Sequence, residues 1–357
     1  MDQELDALGM LDLMIRPGFC VKDRRIVKVN AAAEGLLFST GTEIGTLLAT
    51  GEEEYADFSG GTLYLTLRCA GTVWSASVTR LGNWDVFLLE DSADQAELQA
   101  MALAARELRE PLAGIMTTAD RLFPMSALED DPKLREHAAR LNRGLYQMLR
   151  IIGNMSDAGS YAADSAGPME TVEITGFFRE IFEKLQGHIA CAGLTLEFEN
   201  LHQPLFCLAS REKLERAVMN IISNAMKFTA SGGTISVRLK RRENRLYLSV
   251  QDSGEGIPES LRGNIHRRYL RQPALEDRRF GIGLGMVLIR SAAAIHGGTV
   301  LIDHPEGSGT RITMTMEIRQ DVSGNLRSPL LQFDYTGERD HSLVELSDIL
   351  PAELYHS

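Results

Sequence analysis

The chain has 357 residues, 44% hydrophobic and 24% charged, enough for two or three domains with buried cores. A formal net charge of −12 argues against nucleic-acid binding, which needs Lys and Arg clustered against phosphates. No run of about 18 or more apolar residues occurs, so no membrane span is expected. The acidic start, Met1 to Asp6, lacks a secretory pattern, and Cys20, Cys69, Cys191 and Cys207 form no CxxC pair. Scattered thiols fit a reducing, cytoplasmic setting better than a disulfide frame or a zinc site.

Residues 1–92 read as a small α+β domain. Phe19 to Lys22 and Ile26 to Val29 alternate as strands around the turn Asp23-Arg-Arg. Asn30, a favoured N-cap, is expected to open a helix over Ala31 to Leu37. Strands follow over Thr62–Cys69, Thr72–Arg80 and Trp84–Leu89, separated by Ala70-Gly71 and Gly82-Asn83. This order, with Val29-Asn30-Ala-Ala-Ala33-Glu34 after the first hairpin, resembles a PAS sensor domain with shortened middle helices. A generic antiparallel scaffold is the alternative. No histidine precedes His137, so a histidine-ligated haem is not expected here.

Residues 93–160 are periodic. Leu98, Met101, Ala105, Leu108, Leu112, Ile115, Ala119 and Leu122 step by three and four, as do Leu134, Ala138, Leu141, Leu145, Met148, Ile152 and Met155 beyond Pro124. That spacing predicts an antiparallel helical hairpin with one apolar seam per helix, and hence a dimeric four-helix bundle. Packing of the hairpin against another domain of the same chain is the alternative. Gly159 to Met169 reads as a linker.

From 168 to 320 strands and helices alternate in the pattern of an α/β sandwich. Helices are expected over Gly176–Ala192, Arg211–Phe228 and Ile282–His296, and strands over Leu194–Glu199, Thr234–Leu239, Leu246–Val250, Thr299–Asp303 and Arg311–Glu317. Residues 321–357 read as a tail, with Ser342 to Leu350 apolar enough to dock as a short helix. The chain as a whole is expected to be a multidomain α+β protein.

Three motifs in the α/β region carry chemistry. In Asn220-Ile-Ile-Ser-Asn224-Ala-Met-Lys227, both amides and the ammonium share one helical face, while Leu214, Val218, Ile221 and Ala225 face the sheet. Amide oxygens suit Mg²⁺, and lysine supplies a compact charge for phosphate. In Asp252-Ser-Gly254-Glu-Gly256-Ile-Pro258, a carboxylate after a strand suits an exocyclic amine, and the glycines let backbone approach a ligand. Gly281, Gly283 and Gly285 precede a helix, whose unpaired N–H groups favour phosphate. Between the last two motifs lie Arg262, His266, Arg267, Arg268, Arg271, Arg278 and Arg279, a basic loop suited to a lid.

The order and spacing of these motifs resemble the ATP-binding domain of sensor histidine kinases, of the wider ATPase group that includes gyrase and MutL. Ile295-His296-Gly297-Gly298 and Gly307-Ser-Gly309-Thr310 match the kinase branch. The resemblance implies ATP and Mg²⁺ as ligands. It places Mg²⁺ on Asn224 with Asn220 nearby, phosphate on Lys227, adenine on Asp252, and further nucleotide contacts on Gly254, Gly256, Arg268, Gly281, Gly283 and Gly285. It also implies that the hairpin is the dimerisation and phosphotransfer domain. Partners would be a second copy or another histidine kinase, and a response regulator.

The hairpin departs from that family at the chemically decisive position. Arg106-Glu107-Leu108-Arg109-Glu110-Pro111-Leu112 stands where the family has His-Glu-x-x-Thr/Asn-Pro-Leu, so Arg106 occupies the acceptor position. A guanidinium stays protonated and is no nucleophile near neutral pH. Glu110 replaces the residue that positions water, and Ile265-His266-Arg267-Arg268-Tyr269 replaces the usual lid pattern. The expectation is an ATP-binding signalling protein that does not autophosphorylate at the usual site. The alternatives are an active kinase acting on a partner or on a relocated acceptor such as His137, and an ATPase unrelated to signalling.

Overall fold

The structure is a computed structural model and describes residues 8–9, 11–12, 14–90, 92–124, 131–162, 168–256, 284–305, 309–319 and 340–355. The N-terminal unit is an antiparallel sheet of β1 (Gly18–Lys22), β2 (Arg25–Val29), β3 (Thr62–Cys69), β4 (Thr72–Leu81) and β5 (Trp84–Leu89) in the order β2-β1-β5-β4-β3. Its core stacks Phe19 on Phe87 at 4.8 Å, with Ile26, Ile44, Leu63, Leu67 and Val78 around them. The expected helix over Ala31–Leu37 is a correction. Only a 3-10 turn, Glu34–Leu36, forms, and it stops at Leu37 with φ 65°. Asn30 does not simply cap it. Its buried amide donates to Arg16 O (2.8 Å), while Oδ1 accepts from Gly18 N (3.0 Å) and Ala33 N (3.1 Å). That side chain is committed to tying down the preceding segment. A five-residue helix α1 (Glu52–Ala56) follows.

Helices α2 (Ser92–Leu122) and α3 (Pro132–Ala162) form the antiparallel hairpin, and α3 runs through the first residues of the expected linker. Gly159 is needed there, since a Cβ would stand 2.1 Å from Ala102 Cβ across the hairpin. The expected seam divides in two. Ala105, Leu112 and Ala119 share a buried core with Leu145 and Ile152, and Leu98 and Ala138 are buried as well. The alternate positions Leu108, Ile115, Leu122, Leu141 and Met148 are 41–67% exposed.

The α/β region contains β7 (Thr195–Glu199), β9 (Thr234–Arg242), β10 (Arg245–Asp252), β11 (Val300–Asp303) and β12 (Arg311–Glu317), close to the expected bounds. Helices α4 (Ile174–Cys191), α5 (Arg211–Phe228) and α6 (Gly285–Ile295) cover one face, where Leu246, Leu248 and Val250 alternate inward. A second two-stranded sheet, β6 (Glu170–Glu173) with β8 (Phe206–Ala209), was not expected. Glu173 caps α4, accepting from Thr175 N (3.0 Å) and Gly176 N (2.7 Å); a carboxylate suits the positive end of a helix.

Edge strand β11 pairs antiparallel with β3, in the register Val300↔Tyr64, Leu301↔Leu63, Ile302↔Thr62. The two sheets therefore merge into one of ten strands, β2-β1-β5-β4-β3-β11-β12-β10-β9-β7. Around this junction Arg290 of α6 pairs with Glu90 (2.7 Å), and Glu54 of α1 accepts from Thr315 Oγ1 (2.9 Å) and lies 3.4 Å from Arg245. The start of α6 also packs on the hairpin, with Leu284, Val287 and Leu288 against Leu98 and Ala158. The C-terminal residues 340–355, with helix α7 (His341–Glu345), fold back onto α3 and α5.

Candidate nucleotide site

Helix α5 presents two faces. Leu214, Val218 and Ile221 are fully buried against the sheet, as the spacing predicts. On the hairpin-facing side, Arg216, Asn220, Ser223 and Lys227 follow one another at intervals of four, three and four. Asn220 is 2% exposed and donates its amide to Arg216 O at 2.9 Å. A Cβ on Gly285 would stand 2.9 Å from Asn220 Oδ1, so the first residue of α6 must be small for the two helices to meet here. Asn224, one turn on, is half-buried.

Lys227 is mostly buried, and its Nζ pairs with Asp348 Oδ2 at 2.9 Å. Burial, with Arg150 close by, pushes the ammonium below the usual lysine range; Asp348 acts in the opposite sense. Asp252, at the end of β10, is 6% exposed. Its Oδ1 accepts from Gly254 N (2.9 Å) and Thr310 N (3.2 Å). Burial raises its carboxyl above the usual range, and those two N–H groups oppose the shift. Gly256 has φ 74°, in the left-handed region that favours glycine. A Cβ on Gly309 would stand 1.8 Å from Asp252 O, which explains a glycine at this close approach.

His296 belongs to the scaffold of the site. Its Nε2 accepts from Ser210 N (3.0 Å) at the start of α5, and Nδ1 lies 2.6 Å from Ala292 O in α6. Burial lowers its pKa, consistent with a neutral ring that accepts at Nε2 and donates at Nδ1.

Among the described residues, the structure thus gathers Asn220, Asn224, Lys227 and Gly285 along α5 and the start of α6, and places Asp252, Gly254 and Gly256 at the end of β10. Arg268, Gly281 and Gly283 lie outside the described residues, as do the rest of the basic loop and Pro258. On the hairpin, Arg106, Glu107, Glu110 and His137 are exposed.

A polar cluster beside the site was missed by the sequence reading. Arg216 pairs with Asp157 of α3 and with Glu345 (3.2 Å), and donates to Asn154 Oδ1 (2.9 Å). Arg150 of α3 pairs with Asp348, lies 3.5 Å from Glu345, and donates to Ser223 Oγ (3.1 Å). The helical spacing places Arg216 and Ser223 on the stripe of Asn220 and Lys227, a signal that was available; the acidic partners lie on other elements. A separate groove of about 640 Å³ on the opposite face of the sheet includes Arg238, Arg242 and Arg311, each paired with an acid: Glu199, Asp57 and Asp303 respectively.

Residues 209–320 match the family model "Histidine kinase-, DNA gyrase B-, and HSP90-like ATPase". The chain is 30% identical over 246 residues to Histidine protein kinase DivJ of Caulobacter vibrioides, covering 64% of this chain and 40% of that protein. It is 27% identical over 238 residues to Sensor histidine kinase WalK of Bacillus subtilis, covering 65% of this chain and 38% of that one. The chain thus spans well under half the length of these relatives. Among solved structures, full-length ShkA in complex with AMPPNP aligns with a TM-score of 0.50 at 22% identity, over 62% of this chain and 46% of that one, a likeness of fold.

Proposed function

We propose that this chain, whose residues 209–320 match the histidine kinase-like ATPase model and which resembles sensor histidine kinases over about two thirds of its length, is a two-component signalling protein that binds ATP but lacks the usual phosphoacceptor, acting as an ATP-responsive pseudokinase or regulatory partner. One observation carries this reading. The helix bearing Asn220, Asn224 and Lys227 meets the close approach at Gly285, while the acceptor register on the hairpin presents the exposed guanidinium of Arg106.

The residues present fit the nucleotide. The half-buried Asn224 amide, with Asn220 behind it, would hold Mg²⁺, an oxygen-seeking ion. Lys227 would meet phosphate, and Asp252 would accept a hydrogen bond from the adenine amine. Gly254, Gly256 and Gly285 would admit the nucleotide close to backbone; the further contacts expected of Arg268, Gly281 and Gly283 lie outside the described residues. Bound ATP supplies concentrated negative charge to this site. Because α6 packs on α2 and α3, a change at its start would be felt by the hairpin.

The exposed apolar row of Leu108, Ile115, Leu122, Leu141 and Met148 supports a second hairpin as partner, from a like copy or from another histidine kinase. A response regulator would then read the assembly. The strand order β2-β1-β5-β4-β3 supports a PAS-like sensor role for the N-terminal unit. No helix among the described residues is long and apolar enough to cross a membrane, and a cytoplasmic setting is part of this proposal.

Incubation with γ-labelled ATP and Mg²⁺, with Asn224→Ala and His137→Ala alongside, tests it. Binding that Asn224→Ala loses, without acid-labile label on the chain, is the expected result. Label that vanishes in His137→Ala would make the chain a kinase with a relocated acceptor, and failure to bind nucleotide would remove the reading altogether.

A further inference from the structure

Residues 340–355 are firmly seated. Leu346, Leu350 and Tyr355 are at most 1% exposed, and the Tyr355 ring meets Tyr146 of α3 edge-on at 5.1 Å. Backbone carbonyls of the segment are held by α3: Ser347 O accepts from Arg143 Nε (2.9 Å) and Gln147 Nε2 (3.2 Å), and Tyr355 O from Asn142 Nδ2 (3.2 Å). Two of the segment's acids, Glu345 and Asp348, reach basic residues of α3 and α5. Glu345 serves Arg150 and Arg216, which join α3 to α5. Asp348 serves Arg150 and Lys227. A mere cap on α3 needs no carboxylate on Lys227, the residue whose charge suits phosphate.

We propose that residues 340–355 are an internal competitor of nucleotide: Asp348 holds the Lys227 ammonium in place of a phosphate, so that tail docking and ATP binding oppose each other. This rests on the ATP reading of α5. A polyphosphate reaching Lys227 would bring like charge against the Asp348 carboxylate in a poorly solvated place, where charges interact strongly. Either the tail lifts or the phosphate stays away. The coupling is reciprocal, so a partner that captures residues 340–355 would tighten nucleotide binding, and nucleotide would loosen the tail.

Calorimetry on the full chain with ATP–Mg²⁺ and, separately, adenosine tests the competition. Asp348→Asn keeps the shape and removes the charge; Tyr355→Ala loosens the segment without touching Lys227. Both variants should bind ATP–Mg²⁺ about tenfold tighter than the parent chain, a size usual for coupled sites. Adenosine, which has no phosphate, should bind the parent chain and Asp348→Asn equally. Equal or weaker ATP binding by Asp348→Asn would overturn the competition and leave the ATP reading standing. An equal gain for adenosine would likewise overturn it, by showing a general loosening of the site. Absence of ATP binding in all three proteins would sink the ATP reading, and the competition with it. Should Tyr355→Ala not fold, Asp348→Asn alone decides.

Discussion

Protonation of His296 would force a donor against the Ser210 N–H, and so unseat the start of α5 from the end of α6. Its folded pKa lies below the ordinary value of about 6.5. A group with a depressed folded pKa contributes stability above the unfolded value and loses it as pH falls toward the folded one. The His296 contribution to the thermal midpoint should therefore be lost as pH falls below about 6.5. His296→Gln should be less stable throughout and show a shallower slope over that window, measured by calorimetric melting at several pH values. Asp252 makes a different prediction. Asp252→Asn retains an oxygen for Gly254 N and Thr310 N but removes the charge on which the proposed adenine contact relies. Hydrogen bonds to a charged group contribute about 1.5–3 kcal/mol, so ATP should bind roughly ten- to a hundredfold more weakly. Its preference over GTP, read by competition binding, should fall with it.

The exposed members of the hairpin seam lie at Leu108, Ile115 and Leu122, one heptad apart. Placing Glu at both Leu108 and Ile115 should leave the helices formed, since both side chains are about half exposed and glutamate is a good helix former. It should convert a dimer to a monomer in sedimentation, because burying each leucine-sized side chain contributes about 1.5–3 kcal/mol. An unchanged mass would show that this row is not the contact between copies. The seven-residue repeat was legible in the sequence; which half of it faces inward was not, since both halves are apolar and the outward one carries the larger side chains. The α5 and β12 bounds were legible because hydrophobic period and burial agree over their whole length. The helix at Ala31 failed because Asn30, besides accepting from Ala33 N, is held by Arg16 and Gly18 across the chain, which local propensity does not register. Strands β6 and β8, four residues each, are too short to show a period. At the site, the α5 stripe could be read from spacing, whereas Asp348 lies 121 residues beyond Lys227 and no local pattern links them.

The ten-stranded sheet makes the N-terminal unit and the ATP-binding domain one hydrogen-bonded body. Gly61 sits at the seam with φ 84°, and a Cβ there would stand 2.2 Å from Ile302 O, a backbone atom that cannot step aside. The left-handed conformation alone costs an L-residue about 1–2 kcal/mol. Gly61→Ala should therefore open the seam while sparing each unit's own core. Calorimetric melting should show a single transition in the parent chain and two in the variant; a single transition of unchanged midpoint in both would mean that the seam contributes little. The same seam bears on how the molecule avoids sticking to itself. Strand β11 carries Val300 and Ile302, and with β3 removed its N–H and C=O groups would face open water as a template for any passing strand. The first ninety or so residues thus act as a guard on that border, and an ATP-binding domain excised without them is expected to aggregate edge to edge, where the intact chain stays dispersed.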